Sequence, residues 1–176
     1  MCKMLFIGTN IQFLEHPLDT KAPGFNVEKI SGEFLAVKSV FQNPYVYFVG
    51  TSHGCSCDFG IQITTEENLK INHSSPFQNF QNKFRKLTGT YEEWQKKHTE
   101  KMSKLIEQDQ NYKTQTFELI DIITKGVNNG NSVELYCTWA GDYSAKPEAF
   151  QTIELSKTDI KKSFEIEEKF FVTFTK

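Results

Sequence analysis

Arginine is almost missing from this chain: Arg85 is the only one, and the other cations are lysines. Planar forks that grip phosphate or guanine at two points are therefore almost absent as a recognition device. Neither sign of charge dominates, since the formal net charge is −2, and this excludes a nucleic-acid binder built on bulk electrostatics. No apolar run approaches the roughly 20 residues of a membrane-spanning helix. The run Met4–Ile7 is too short for the apolar segment of a secretory leader. The expectation is a cytoplasmic protein with neither nucleic acid nor membrane as partner, the true partner being left open. Cysteine is scarce, four in 176 residues. In a reducing compartment four thiols point to packing, metal or redox use before disulfides. The phosphate-binding glycine loop, the dinucleotide fingerprint, the zinc-protease helix and the serine-hydrolase elbow are all absent. No reaction class is fixed, and whether the protein is an enzyme stays undecided.

What the chain does have is ring area. Aromatic residues make up 14% of it, with sixteen phenylalanines, and each buries a large apolar surface. The length fits one domain spanning residues 1–176, with enough chain for a sizeable core. Residues 2–9 read as a first strand, and Tyr45 to Gly50, bounded by Pro44, as another. Between them Asn10 to Asn26 reads as loop, and Ser31 to Phe41 as a short helix stopped by Asn43-Pro44, although its β-branched residues also permit a strand. Cys55 to Thr65 alternates, with Cys55, Cys57, Phe59, Ile61 and Ile63 on one face, which predicts the second arm of a hairpin. From Glu66 to Gly89 the helical spacing of Phe77, Phe80 and Phe84 is diluted by polar residues, so a long loop is expected.

Thr90 to Glu93 fits a capping box that opens a helix carrying Tyr91, Trp94, His98 and Met102. Asp109-Gln110-Asn111 is expected to break or kink it, with a further helix from about Thr116 to the turn at Asn128-Asn129-Gly130-Asn131. Ser132 to Ala140, Phe150 to Leu155 and Lys169 to Thr175 read as three more strands. Strands, then helices, then strands predict an α+β fold: a mixed, mostly antiparallel sheet with two or three helices packed on one face.

The densest chemistry lies in His53-Gly54-Cys55-Ser56-Cys57-Asp58. Thiolates and an imidazole at close quarters are what a soft-metal or redox site needs. A disulfide between Cys55 and Cys57 is disfavoured, because residues i and i+2 of a strand lie roughly 6.6 Å apart and bridged Cβ atoms need about 3.5–4.5 Å. A zinc ion holds two sulfurs about 3.8 Å apart, within reach of one strand face. The C-x-C spacing departs from the usual zinc knuckle, so further ligands must come from elsewhere. Cys2, His53, Cys55 and Cys57 are the candidate metal set, with zinc the candidate ion. Against this stands the plainer reading, in which cysteines on the apolar parity of strands simply pack, Cys137 above all. His53 is equally at home as a hydrogen-bonded turn histidine, and His98 as a core residue. Trp139 to Tyr143, with Gly141 and Asp142, suits either a pocket or a plain turn.

Cys2 carries a second reading. With Met1 removed, its own amine would serve as base for its thiol. The opening Met-Cys before an apolar strand is similar to that of class II glutamine amidotransferases. That resemblance would make Cys2 a hydrolytic nucleophile. It is confined to the first residues, and the arginine and Asn-Gly elements of that family have only Arg85 and the turn Asn129-Gly130 to match them.

Three segments taken together carry a wider resemblance: Met1 to Ile7, Asn43 to Cys57, and Val133 to Asp142. The pattern of an N-terminal Met-Cys, a Pro-x-Val-Tyr strand leading into Gly-Cys-x-Cys, and a late Glu-Leu-Tyr-x-x-Trp-x-Gly-Asp resembles a family of small bacterial proteins with no assigned function. The resemblance implies that Cys2 and the Cys55/Cys57 pair belong to one pattern. Three readings stay open: a thiol-centred site, an interaction module whose cysteines are core, and a Cys2 hydrolase.

Overall fold

A computed structural model of the chain describes residues 2–19, 24–59, 91–130, 132–162, 164 and 166–176. The expectations for Ile61, Ile63, Thr65, His73, Phe77, Phe80, Phe84, Arg85 and Thr90 fall outside the described residues, as do the side chains of Trp94, His98 and Met102. The chain divides into two compact units, residues 1–61 with 112–176, and residues 62–111. In the second unit the described residues are a helical stretch, 91–111.

Among the described residues the first unit has six strands: β1 (Lys3–Thr9), β2 (Asn26–Lys29), β3 (Tyr45–Gly50), β4 (Ser132–Trp139), β5 (Ala149–Glu154) and β6 (Phe170–Thr175). They form one sheet in the order β2-β3-β1-β4-β6-β5. Only β5 and β6 run parallel; the other pairs are antiparallel. The expected mixed, mostly antiparallel sheet is therefore present. A parallel pair cannot be closed by a tight turn. Residues 155–169 make that crossing, and they drop Ile160 and Phe164 onto one face of the sheet.

Alternation along β1 sorts its side chains to the two faces. Leu5 and Ile7 join Val49, Leu135 and Phe174 beneath Leu119, Ile120, Ile123 and Val127. Those last four recur at helical spacing along the end of α1 (Tyr91–Gly130). Met4 and Phe6 point the other way, to Phe48, Tyr136 and Phe171. There a 3-10 helix, Gly32–Val40, supplies Val37 and Phe34. Phe34 stacks on Phe48 at 5.4 Å and meets Phe6 edge-on at 5.6 Å. The sheet is thus covered on both faces, by α1 on one and the 3-10 helix on the other, where helices had been expected on one face alone. The reason is the double-sided apolarity of β1, in which Met4 to Ile7 are all buried. A strand of that kind needs cover above and below.

Three further expectations are corrected. α1 runs through Asp109-Gln110-Asn111 without a break. These residues are only mildly poor helix formers, costing a fraction of a kcal/mol each, and none is Gly or Pro. Strand β2 was missed because it is a four-residue edge whose second half, Glu28 and Lys29, is polar. Cys55 to Phe59 is not a strand but a run of turns, held as described below. Among the described residues no helix is long and apolar enough to cross a membrane.

Candidate functional site

Strand β3 ends at Gly50, and the chain then folds back on itself. The N–H of Thr51 donates to the carbonyl of Cys55 at 2.7 Å, and that of Gly54 to the carbonyl of Thr51 at 2.8 Å. Gly54 sits at φ +70, a left-handed conformation that glycine adopts without strain. The loop is tied to α1 by the N–H of Ser52, which donates to the buried Gln115 Oε1 at 3.0 Å.

Ser56 is the anchor of the loop. It is 2% exposed, although its place between two cysteines had put it on the polar face of a strand. Its N–H donates to the carbonyl of Lys3 at 2.9 Å. Its hydroxyl accepts from the N–H of Leu5 at 2.8 Å and donates to the carbonyl of Val49 at 2.6 Å. One side chain thereby satisfies both the edge of β1 that β3 has left and the end of β3 itself. A buried hydroxyl with both bonds made is stabilising, and one left unmade would be costly. With Ser56 turned inward, its neighbours Cys55 and Cys57 flank the start of β1. The N–H of Lys3 donates to Cys57 Sγ at 3.1 Å. Cys2, just before β1, is held from the other side, where its carbonyl accepts from the N–H of Ala140 at 2.9 Å.

The outcome is a group of three sulfurs. The Sγ atoms of Cys2, Cys55 and Cys57 all lie within 4.8 Å of one another, close enough to hold a metal ion. Cys2 and Cys57 are exposed and Cys55 is half-buried. Burial, with the thiols of Cys57 and Cys2 beside it, pushes the Cys55 thiol up to about 11. A soft cation among the sulfurs would reverse that shift by taking the place of the Cys55 proton.

His53, the fourth member of the expected set, lies elsewhere. Its Nδ1 is 3.0 Å from Asp58 Oδ2, its ring meets Tyr112 edge-on at 6.0 Å, and it is not part of the three-sulfur group. The Thr51 hydroxyl is 3.0 Å from both Asp58 Oδ2 and the Cys55 carbonyl and donates to one at a time. Asp58 therefore braces the loop through His53 and Thr51.

Cys137 is buried on β4, as its parity with Leu135 predicts. Burial pushes its thiol up to about 12, with Lys3 opposing and Cys57 reinforcing the shift. It is a neutral core thiol. Asp142 serves as a turn former: its N–H donates to the Trp139 carbonyl at 3.0 Å, and its carbonyl accepts from the Thr138 hydroxyl at 2.9 Å.

The residues that sequence reasoning missed are Ser56 and Glu134. Glu134 is buried on β4, and its Oε2 accepts from the N–H groups of Gln42 and Asn43 at 3.2 and 3.0 Å, closing the turn from the 3-10 helix into β3. Nothing in a hydroxyl or a carboxylate alone marks it as a backbone clamp. Comparison of the chain with protein-family models, with curated proteins and with solved structures finds no match.

Proposed function

We propose that the protein binds one soft metal ion, zinc in the first instance, through Cys2, Cys55 and Cys57. The observation that carries this reading is the approach of the three sulfurs to within 4.8 Å of one another, although they come from segments more than fifty residues apart. Packing alone does not call for it: Cys2 and Cys57 are exposed and bury nothing by meeting. Tetrahedral zinc bound by thiolates needs sulfurs about 3.8 Å apart, a small adjustment of side-chain torsions from this arrangement. Three protein ligands leave the fourth place to water or a small molecule, the pattern of zinc sites that do chemistry or exchange their ion. Binding must release the proton held by Cys55, so affinity falls as pH falls.

The second reading is an oxidant-sensitive thiol cluster, favoured by the exposure of the same two residues, Cys2 and Cys57. Elemental analysis separates the two. Protein purified anaerobically without a histidine tag should carry close to one equivalent of zinc or iron, lost in a Cys55→Ser/Cys57→Ser variant. Metal-free protein in which Cys2 and Cys57 alone oxidise reversibly would set the metal aside in favour of the thiol cluster.

A further inference from the structure

The sheet face beneath α1 is not filled out to the β5 edge. A cavity of about 490 Å³ lies there, inside the range of about 300–1,000 Å³ occupied by small-molecule sites. Its floor includes Leu135, Cys137 and Phe174, each buried, and its roof is Ile160 and Phe164 of the crossing 155–169. Register closes its outer side: Gln151 lies opposite Val172 and Ile153 opposite Phe174, so both β5 side chains fall on the cavity's face of the sheet.

At the rim Lys157 Nζ is 2.6 Å from Glu154 Oε2, and Glu167 adds a second carboxylate to the lining. The cysteine in the floor is a neutral thiol. An apolar floor left dry forfeits the contacts its atoms would otherwise make. The roof borders a second space. On its far side a second void of about 440 Å³, lined by Ile120 and Thr124 of α1, shares Lys157, Thr158 and Ile160 with the first. Ile160 lines both spaces.

We propose that this cavity binds a small molecule with an apolar body and no negative charge, with the Gln151 amide as a hydrogen-bonding partner. The walls select against anions, because a negative charge placed there would lose its hydration and face two carboxylates, Glu154 and Glu167, against the single ammonium of Lys157. The edge position makes the site reachable, as β5 has no neighbour on its outer side among the described strands. The proposal is independent of the metal reading.

The test uses the full-length protein and N-phenyl-1-naphthylamine, a neutral ring compound that fluoresces in apolar surroundings. Saturable binding of one probe per chain is expected, weakened about tenfold or more by Ile153→Trp and by Gln151→Phe, each of which fills the cavity from β5. Phe150, 72% exposed and against Phe171 on the opposite face of the same strand, is the control: Phe150→Ser should leave binding unchanged. Circular dichroism checks folding, and if Ile153→Trp fails to fold, the exposed position of Gln151→Phe decides. No saturable binding, or binding lost in Phe150→Ser and kept in the cavity variants, would overturn the proposal.

Discussion

The backbone N–H of Lys3 donates to Cys57 Sγ at 3.1 Å, so the strand that follows Cys2 also orients the sulfur that Cys2 meets. The same residue's carbonyl accepts from Ser56. One short stretch of β1 therefore reads the loop twice, once at Ser56 and once at Cys57, and the three-sulfur group is a consequence of backbone pairing more than of any contact between the thiols.

Ser56→Ala tests that dependence. The variant loses a bond donated and a bond accepted by one buried hydroxyl, and leaves the Leu5 N–H and Val49 carbonyl without those partners. A loss of about 1–3 kcal/mol in urea unfolding is expected. Weaker metal retention should accompany it, because Cys55 and Cys57 no longer flank a pinned residue. Unchanged stability would mean that the loop is held by something other than Ser56.

His53→Ala should leave metal stoichiometry intact, since the imidazole is engaged with Asp58 and lies outside the sulfur group. The half-exposed pair contributes little to stability, about 1 kcal/mol at most. A variant that purified without its ion would restore His53 as a ligand.

How far the site was legible in the sequence follows from these residues. Cys2, Cys55 and Cys57 could be named as a set, because thiols are scarce and their chemistry is distinctive. Alternation placed Cys137 in the core correctly, since a central strand imposes a strict two-residue period. The same alternation misled at Cys55 to Phe59, where Gly54 and the Thr51–Cys55 backbone bond turn the chain before a ladder can form. Local pattern does not report such a long-range anchor, and the inward turn of Ser56 depends on Lys3, Leu5 and Val49. For the fold, the long strands β1, β3 and β4 were readable from their apolar runs. The polar edge β2 and the helix running through Asn111 were not, because tertiary packing outweighs weak local preference there.

Cys137 makes the protein sensitive to alkali. Its folded value of about 12 stands above the ordinary 9.0, so between those values the unfolded chain ionises this thiol and the folded chain does not. Its contribution is therefore complete below about pH 9 and is lost as pH rises toward 12. Between pH 8 and 10.5, metal-free wild-type protein should lose about 2 kcal/mol more than Cys137→Ala does, as read from urea melts at the two values. Equal losses would remove Cys137 from the account.

Gly126→Ala should destabilise, against its helix propensity. Alanine gains about 1 kcal/mol over glycine inside a helix, but a Cβ here would lie 2.5 Å from Val133 Cγ2 and 3.3 Å from Phe13 Cζ. Overpacking of this kind costs about 1–3 kcal/mol, and a lower thermal midpoint is expected. A raised midpoint would show that α1 and β4 yield to the added methyl.

The central claim is that three sulfurs share one ion, and X-ray absorption at the zinc edge addresses it most directly. Protein loaded with one equivalent of zinc should give three sulfur neighbours at about 2.3 Å and one oxygen or nitrogen neighbour at about 2.0 Å. A shell of oxygen and nitrogen alone, or the persistence of all three sulfurs in Cys55→Ser/Cys57→Ser, would contradict it.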